Sequence, residues 1–101
     1  MKISKLLLNS RFDEVCKLYN LKTRKDITLK SDNPDQKSYY SDDYYKMDYN
    51  SNYGGYFFAL VHSDTSVSDA FYGTGYSRLS ANEAYRFLNG MIEGYRFLNK
   101  K

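Results

Sequence analysis

The sequence predicts an α+β domain made of an N-terminal helix, a three- to four-stranded antiparallel sheet and a long C-terminal helix packed on one sheet face. Three observations carry this. Ser80-Ala81-Asn82-Glu83 is a capping box followed by apolar residues at helical spacing. Gly55 to His62 is an apolar run of strand length, and Tyr44 to Tyr49 alternates aromatic or apolar with charged residues. The connections between these strands are short, which makes their pairing antiparallel.

From the N-terminus, Phe12, Val15, Cys16 and Tyr19 recur at i, i+3, i+4 and i+7, so a helix is expected over Arg11 to Asn20. Ser10 to Asp13 has the composition of a cap and first turn. An earlier start at Ile3 fits the residues as well. Lys22 to Lys25 is a basic connection, and Ile27 and Leu29 alternate with Thr28 and Lys30 as in a short half-buried strand. Ser31 to Ser41, polar and holding the chain's one proline, reads as a long surface loop.

Tyr44 to Tyr49 follows as a strand with one wetted face, and Asn50 to Gly55 supplies a turn. Gly55 to His62 is apolar on both faces and belongs in the middle of the sheet. Ser63 to Asp69 reads as a polar hairpin loop and Ala70 to Tyr76 as the next strand, with Gly73 and Gly75 marking a bulge or a close passage. Tyrosines of neighbouring strands are expected to decorate the outer sheet face.

In the last helix, Ala84, Leu88, Met91, Tyr95 and Leu98, widened by Tyr85 and Ile92, form a core-facing stripe. Phe87, Gly90, Gly94 and Phe97 make a second line, where each glycine costs about 1 kcal/mol relative to alanine. Such a cost implies a close neighbour: the N-terminal helix, a partner helix or a second copy in a homodimer. The repeated Tyr-Arg-Phe-Leu-Asn at residues 85 and 95 lies about 80° apart around the helix and makes no common face.

Length and composition narrow the function. A chain of 101 residues with one cysteine suits one domain, residues 1–101, without a disulfide framework or multi-cysteine metal site. The Leu6-Leu7-Leu8 run is too short for a signal core or a membrane span, so a cytoplasmic protein with no membrane partner is expected. The net charge of +3 is unevenly spread: residues 1–30 carry +5, residues 31–69 carry −5 and residues 70–101 carry +3. A basic side suits nucleic acid or an acidic partner, and an acidic side suits a basic one.

Catalysis is not expected. His62 is the single histidine, and the linear sequence supplies neither an orienting acid nor a nucleophile for it. Asp42-Asp43 sits in an exposed tyrosine run unsuited to a shielded acid–base pair. Gly73-Thr74-Gly75 is too short for a phosphate fingerprint. No cofactor or metal is expected.

Binding is the stronger expectation. Twelve tyrosines exceed what a small core requires, and tyrosine combines apolar area, a polar tip and few rotamers. The predicted partner-binding residues are Tyr39, Tyr40, Asp42, Asp43, Tyr44, Tyr45 and Tyr49, an acidic, hydroxyl-bearing surface able to imitate a nucleic-acid backbone. The alternative is nucleic-acid binding through Lys22, Arg24, Lys25, Arg78 and Arg86, with single-strand bases stacking on sheet tyrosines as a variant. The element order, with Gly73 to Arg78 ahead of the last helix, resembles the double-stranded-RNA-binding domain in outline, although Leu79 stands where a second basic residue is wanted.

Gly75-Tyr76-Ser77-Arg78-Leu79-Ser80-Ala81-Asn82-Glu83-Ala84-Tyr85, continuing through Phe87 to Met91 and Gly94, resembles the ending of small proteins from bacteriophages and mobile elements of low-GC Gram-positive bacteria. Leu21 to Asp26 is a weaker echo of the same proteins. The resemblance covers about a third of the chain and carries no catalytic residues. It implies an accessory protein that binds and blocks a host protein or ribonucleoprotein complex, as anti-CRISPR proteins do.

Overall fold

The computed structural model describes residues 2–30, 38–50, 54–71 and 78–99. Most of the predicted Ser31 to Ser41 loop, the middle of the Asn50 to Gly55 turn, and residues 72–76 of the strand expected over Ala70 to Tyr76, Gly73 and Gly75 among them, lie outside these residues. Along the chain come α1 (Lys5–Leu18), a 3-10 turn (Arg24–Asp26), β1 (Leu29–Lys30), β2 (Tyr39–Tyr40), β3 (Tyr44–Asn50), β4 (Gly55–Val61), β5 (Val67–Asp69) and α2 (Ala81–Leu98). The order is that of an α+β fold with a three-stranded antiparallel sheet, β3-β4-β5, and a separate β1-β2 ribbon.

Helix α1 takes the earlier of the two starts. Ser4 caps it, its hydroxyl accepting from the Leu7 N–H at 3.1 Å, and the Leu6 to Leu8 run becomes its first turns, with Leu8 fully buried. Helix α2 begins where the capping box places it: Ser80 Oγ accepts from the Glu83 N–H at 3.2 Å, and the Glu83 carboxylate accepts from the Ser80 N–H at 3.0 Å. The strand expected over Ile27 to Lys30 contracts to Leu29–Lys30, because residues 24–26 coil into a 3-10 turn capped by Asp26 on the Thr23 N–H. Ile27 is nevertheless buried.

Strand β4 is central as expected. It pairs along its whole length with β3, from Tyr44↔Val61 to Asn50↔Gly55, and on its other side with β5. That third strand lies within Ser63 to Asp69, the stretch read as a polar loop. The chain turns tightly at Asp64 to Ser66, where the Asp64 carboxylate accepts from the Ser66 N–H and hydroxyl, and Val67 to Asp69 is already paired. Farther along the same flank of β4, Leu79 bridges Tyr56 through reciprocal backbone bonds of 2.8 and 2.7 Å, so the entry to α2 is stitched to the sheet. Close passage occurs here, at Gly55, whose φ is +131° and whose missing Cβ would collide with the Leu79 carbonyl oxygen.

Alternation sorts the sheet residues into two faces. Tyr45, Met47, Tyr56 and Phe58 face the helices and join Leu8, Phe12, Val15, Cys16, Ala84, Leu88 and Ile92 in the main core. Phe58 is its hub, with ring centroids 6.0 Å from Phe12, 5.4 Å from Phe87 and 5.6 Å from Phe71. Each fully buried side chain of this size stabilises the fold by roughly 1.5–3 kcal/mol. The opposite face holds Tyr44 and Val61, which with Ile27 form a second, smaller core that Tyr40 partly covers. The expected outer array of tyrosines is therefore absent among the described residues: Tyr45, Tyr49 and Tyr56 share the helix side, and Tyr44 is covered.

The second line of α2 divides. Phe87 packs against Phe58 and Phe71, whereas Phe97 is 78% exposed. At Gly90 and Gly94 an added Cβ would meet nothing within 4 Å, so α1 does not rest on them, contrary to the first of the expected neighbours. Instead α1 meets α2 through the apolar core, the Tyr19 hydroxyl donating to the Met91 carbonyl at 2.8 Å and a 2.7 Å Arg96–Glu14 ion pair. No helix among the described residues is long and apolar enough to cross a membrane.

Candidate partner-binding surface

The predicted site divides into three groups that the fold keeps apart. At one corner of the sheet, β2 and the bend into β3 bring together Tyr39, Tyr40, Asp42 and Asp43. The corner is tied to its surroundings by backbone bonds, Tyr40 N–H to the Ser63 carbonyl at 2.7 Å and Ser41 N–H to the Thr28 carbonyl at 2.8 Å. Tyr39 and Tyr40 are half-buried and pair with Lys30 and Leu29. The Tyr40 ring takes the Arg24 guanidinium on its face, 5.2 Å from the centroid, and meets Tyr44 edge-on at the same distance.

Asp42 and Asp43 are exposed, yet each has a partner. Asp42 pairs with Lys22 at 3.2 Å. Asp43 accepts from the Ser63 N–H at 2.9 Å and stands 3.1 Å from Nδ1 of His62. An exposed pair such as Lys22–Asp42 contributes only about 0–1 kcal/mol and is readily exchanged for an outside cation. The acidic character of the corner therefore remains available to a partner.

Tyr44 is a correction to the predicted surface. It is 6% exposed and packs with Ile27 and Val61, because strand alternation turns it under the β1-β2 ribbon. Burial, followed by its contact with the Tyr40 hydroxyl, raises its pKa above the usual phenol value. Tyr45 and Tyr49 depart in another way, since they point to the helix side. Tyr45 stacks on Phe71 at 6.0 Å. Tyr49, 47% exposed, lies about 17 Å along β3 from Tyr44 and carries Lys5 Nζ 5.5 Å above its ring. Neither joins the corner.

The basic residues of the alternative do not converge. Arg78 is held at the far end of the hairpin by Asp48 at 2.8 Å and the Gly55 carbonyl at 3.1 Å, with its guanidinium over Phe57, and its side chain is 17% exposed. It closes the bridge into α2. Arg24 donates to the Ile27 carbonyl at 2.8 Å while stacking on Tyr40, and Lys22 pairs with Asp42. Lys25 and Arg86 are exposed on separate elements. Lys25 lies beside a shallow cleft of about 300 Å³ between α1, the 3-10 turn and β3, lined also by Phe12, Asp13 and Met47.

Sequence reasoning missed His62 and Ser68. Both ring nitrogens of His62 have partners, Asp43 Oδ2 at 3.1 Å and Ser68 Oγ at 2.8 Å. A signal for the first was present: in a hairpin, residues equidistant from the turn face each other, which sets Asp43 across from His62. Ser68 had no such signal because its strand was read as loop. The other reactive side chain, Cys16, is inert, since burial, reinforced by Asp13 and Asp26, pushes its thiol up to about 11. Among the described residues no group of three or more His, Cys, Asp and Glu could hold a metal ion.

Comparison with family models, curated proteins and solved structures found no match to this chain.

Proposed function

We propose that this is a binding protein of bacteriophage or mobile-element origin that blocks a host defence or nucleic-acid-handling complex in the bacterial cytoplasm. The observation that carries the reading is the Tyr39–Tyr40–Asp42–Asp43 corner. Half-buried Tyr39 and Tyr40 and exposed Asp42 and Asp43 follow one another on a backbone fixed by hydrogen bonds, with the Tyr40 ring packed on Ile27, Tyr44 and Val61. A rigid aromatic and acidic patch loses little entropy on docking and suits a basic protein surface. The phage resemblance of residues 75–94 supports the host-blocking role. The nucleic-acid alternative has weaker support, because Arg78 and Arg24 serve the fold and Lys25 and Arg86 lie on separate elements, so the cations do not converge.

The test is affinity purification of the tagged chain from a lysate of a low-GC Gram-positive bacterium, with and without nuclease, beside the variant Tyr39→Ala with Asp42→Lys. The expected result is a stoichiometric protein that survives nuclease and is lost from the variant, whose thermal midpoint stays within a few degrees of wild type. Retention of nucleic acid alone, or of proteins released by nuclease and raised salt, would overturn the proposal in favour of the nucleic-acid reading.

A further inference from the structure

The chain's single histidine closes a hydrogen-bonded line of acid, imidazole and hydroxyl. Asp43 Oδ2 lies 3.1 Å from Nδ1 of His62, and Ser68 Oγ lies 2.8 Å from Nε2. An ionised carboxylate only accepts hydrogen bonds, so Nδ1 carries the ring proton. In the neutral ring Nε2 is then the acceptor, and the Ser68 hydroxyl donates to it. Asp43 is itself steadied by the Ser63 N–H on its other oxygen at 2.9 Å. The ladder builds the line. Extension of the β3–β4 register places residue 43 across from 62, and Leu60↔Ser68 sets the serine diagonal to the histidine on the same face.

We propose that Ser68 is an activated nucleophile that accepts acyl groups from small activated esters, with His62 as general base and Asp43 as the residue that positions it. Three side chains from the β2–β3 bend, the end of β4 and the edge strand β5 meet at the spacing and in the order that proton removal from a serine requires. The hydroxyl of the neighbouring Ser66 is engaged elsewhere, on Asp64 at 2.6 Å.

In the reaction, Ser68 Oγ bonds to the ester carbonyl carbon as its proton passes to Nε2 of His62. The tetrahedral adduct then expels the alcohol oxygen, which leaves with the bonding electron pair and takes that proton. Water, deprotonated by the same nitrogen, attacks the acyl-serine, releases the carboxylic acid, and the proton returns to Ser68. The group stands at the surface, with the His62 side chain 35% and that of Asp43 48% exposed. Substrates are therefore selected by leaving-group reactivity more than by shape. A positioned general base contributes roughly 10²–10⁴-fold, which corresponds to slow acylation and not to efficient turnover. The inference is independent of the binding proposal and shares only Asp43 with it.

The test treats the full chain with a fluorophosphonate and, separately, with p-nitrophenyl acetate, then locates the adduct by peptide mass spectrometry and follows nitrophenolate release. The expected adduct is on Ser68 and absent in Ser68→Ala. Rates should fall about tenfold or more in His62→Gln and Asp43→Asn, recover in part in Asp43→Glu, and stay unchanged in Ser66→Ala. Because the wild-type adduct locates the nucleophile by itself, a variant that fails to fold leaves the proposal testable. Labelling spread over lysines, tyrosines and other serines, or a Ser68 adduct forming equally fast in folded His62→Gln, would overturn it.

Discussion

Replacing Gly90 and Gly94 of α2 by alanine should make the protein more stable. Both have helical backbone, both are exposed, and a Cβ at either meets no atom within 4 Å. Alanine in a helix interior is favoured over glycine by about 0.8–1.0 kcal/mol, mostly through the entropy the unfolded chain no longer loses. With no shared neighbour to strain, the double variant should gain about 2 kcal/mol. For a domain of this size that is a rise of roughly 8–16 °C in thermal midpoint and of about 1 M in urea midpoint. Thermal and urea unfolding of both single variants and the double variant, each at two protein concentrations, provide the measurement. A lowered midpoint would refute the reasoning, since it would mean that something does approach this face. If that loss were also concentration-dependent, the neighbour would be a second copy of the chain, the homodimer contact that the glycine spacing suggests. Gly55→Ala is the internal contrast: with φ at +131° and the Leu79 carbonyl in the way, it should destabilise by roughly 3 kcal/mol.

Other expectations follow from the same packing. Leu88, 0% exposed in the main core, should cost about 3 kcal/mol on truncation to alanine, read as a lowered urea midpoint at unchanged slope. Ser80→Ala removes the acceptor for the Glu83 N–H and should cost about 1 kcal/mol at neutral pH. The Ser80 backbone bond, then its hydroxyl, hold the Glu83 carboxyl below its ordinary value; that contribution is present above the unfolded carboxylate value and lost as pH falls through the folded one, so the difference in urea midpoint between Glu83→Gln and wild type should narrow in acid. At the alkaline end the sign reverses. Burial raises Tyr44 and Tyr56 above 10.0 and lifts Cys16 from 9.0 to about 11, so the unfolded chain releases these protons first. Stability should be full below about pH 9 and fall above it, with Cys16 accounting for roughly 2 kcal/mol by pH 11. Urea midpoints in wild type and Cys16→Ala measure the effect, and equal slopes with pH would contradict it.

The two helices show where local chemistry suffices. Ser80 and Glu83 satisfy each other's backbone neighbours within one turn, so the start of α2 is legible without knowing what the helix packs on. Helix α1 has a plausible cap at Ser10 and a real one at Ser4; the choice is made by Leu8, whose burial among core residues outweighs the polar Asn9 and Ser10 that follow it. Strand β5 was unreadable for the opposite reason. Val67-Ser68-Asp69 has a single apolar residue and is too short to show alternation, and it is a strand because β4 offers it a ladder.

Of the candidate surface, the aromatic and acidic residues were legible and their directions were not. Tyr44 and Tyr45 are neighbours of the same type, yet one is pinned beneath the β1-β2 ribbon and the other stacks on Phe71, since successive strand residues point to opposite faces. Lys22 and Arg78 look equally available in the sequence, but Asp42 and Asp48 engage them from elsewhere in the chain.

By itself the sequence determined the α+β class, the centrality of β4, the span of α2 and the surplus of tyrosine, all of which follow from propensity, periodicity and capping within a few residues. The tertiary structure alone decided which tyrosines reach the surface, that Gly90 and Gly94 face open space, and that Asp43, His62 and Ser68 meet. Each of these depends on strand register and on what covers a face, quantities set by contacts between residues far apart in the chain.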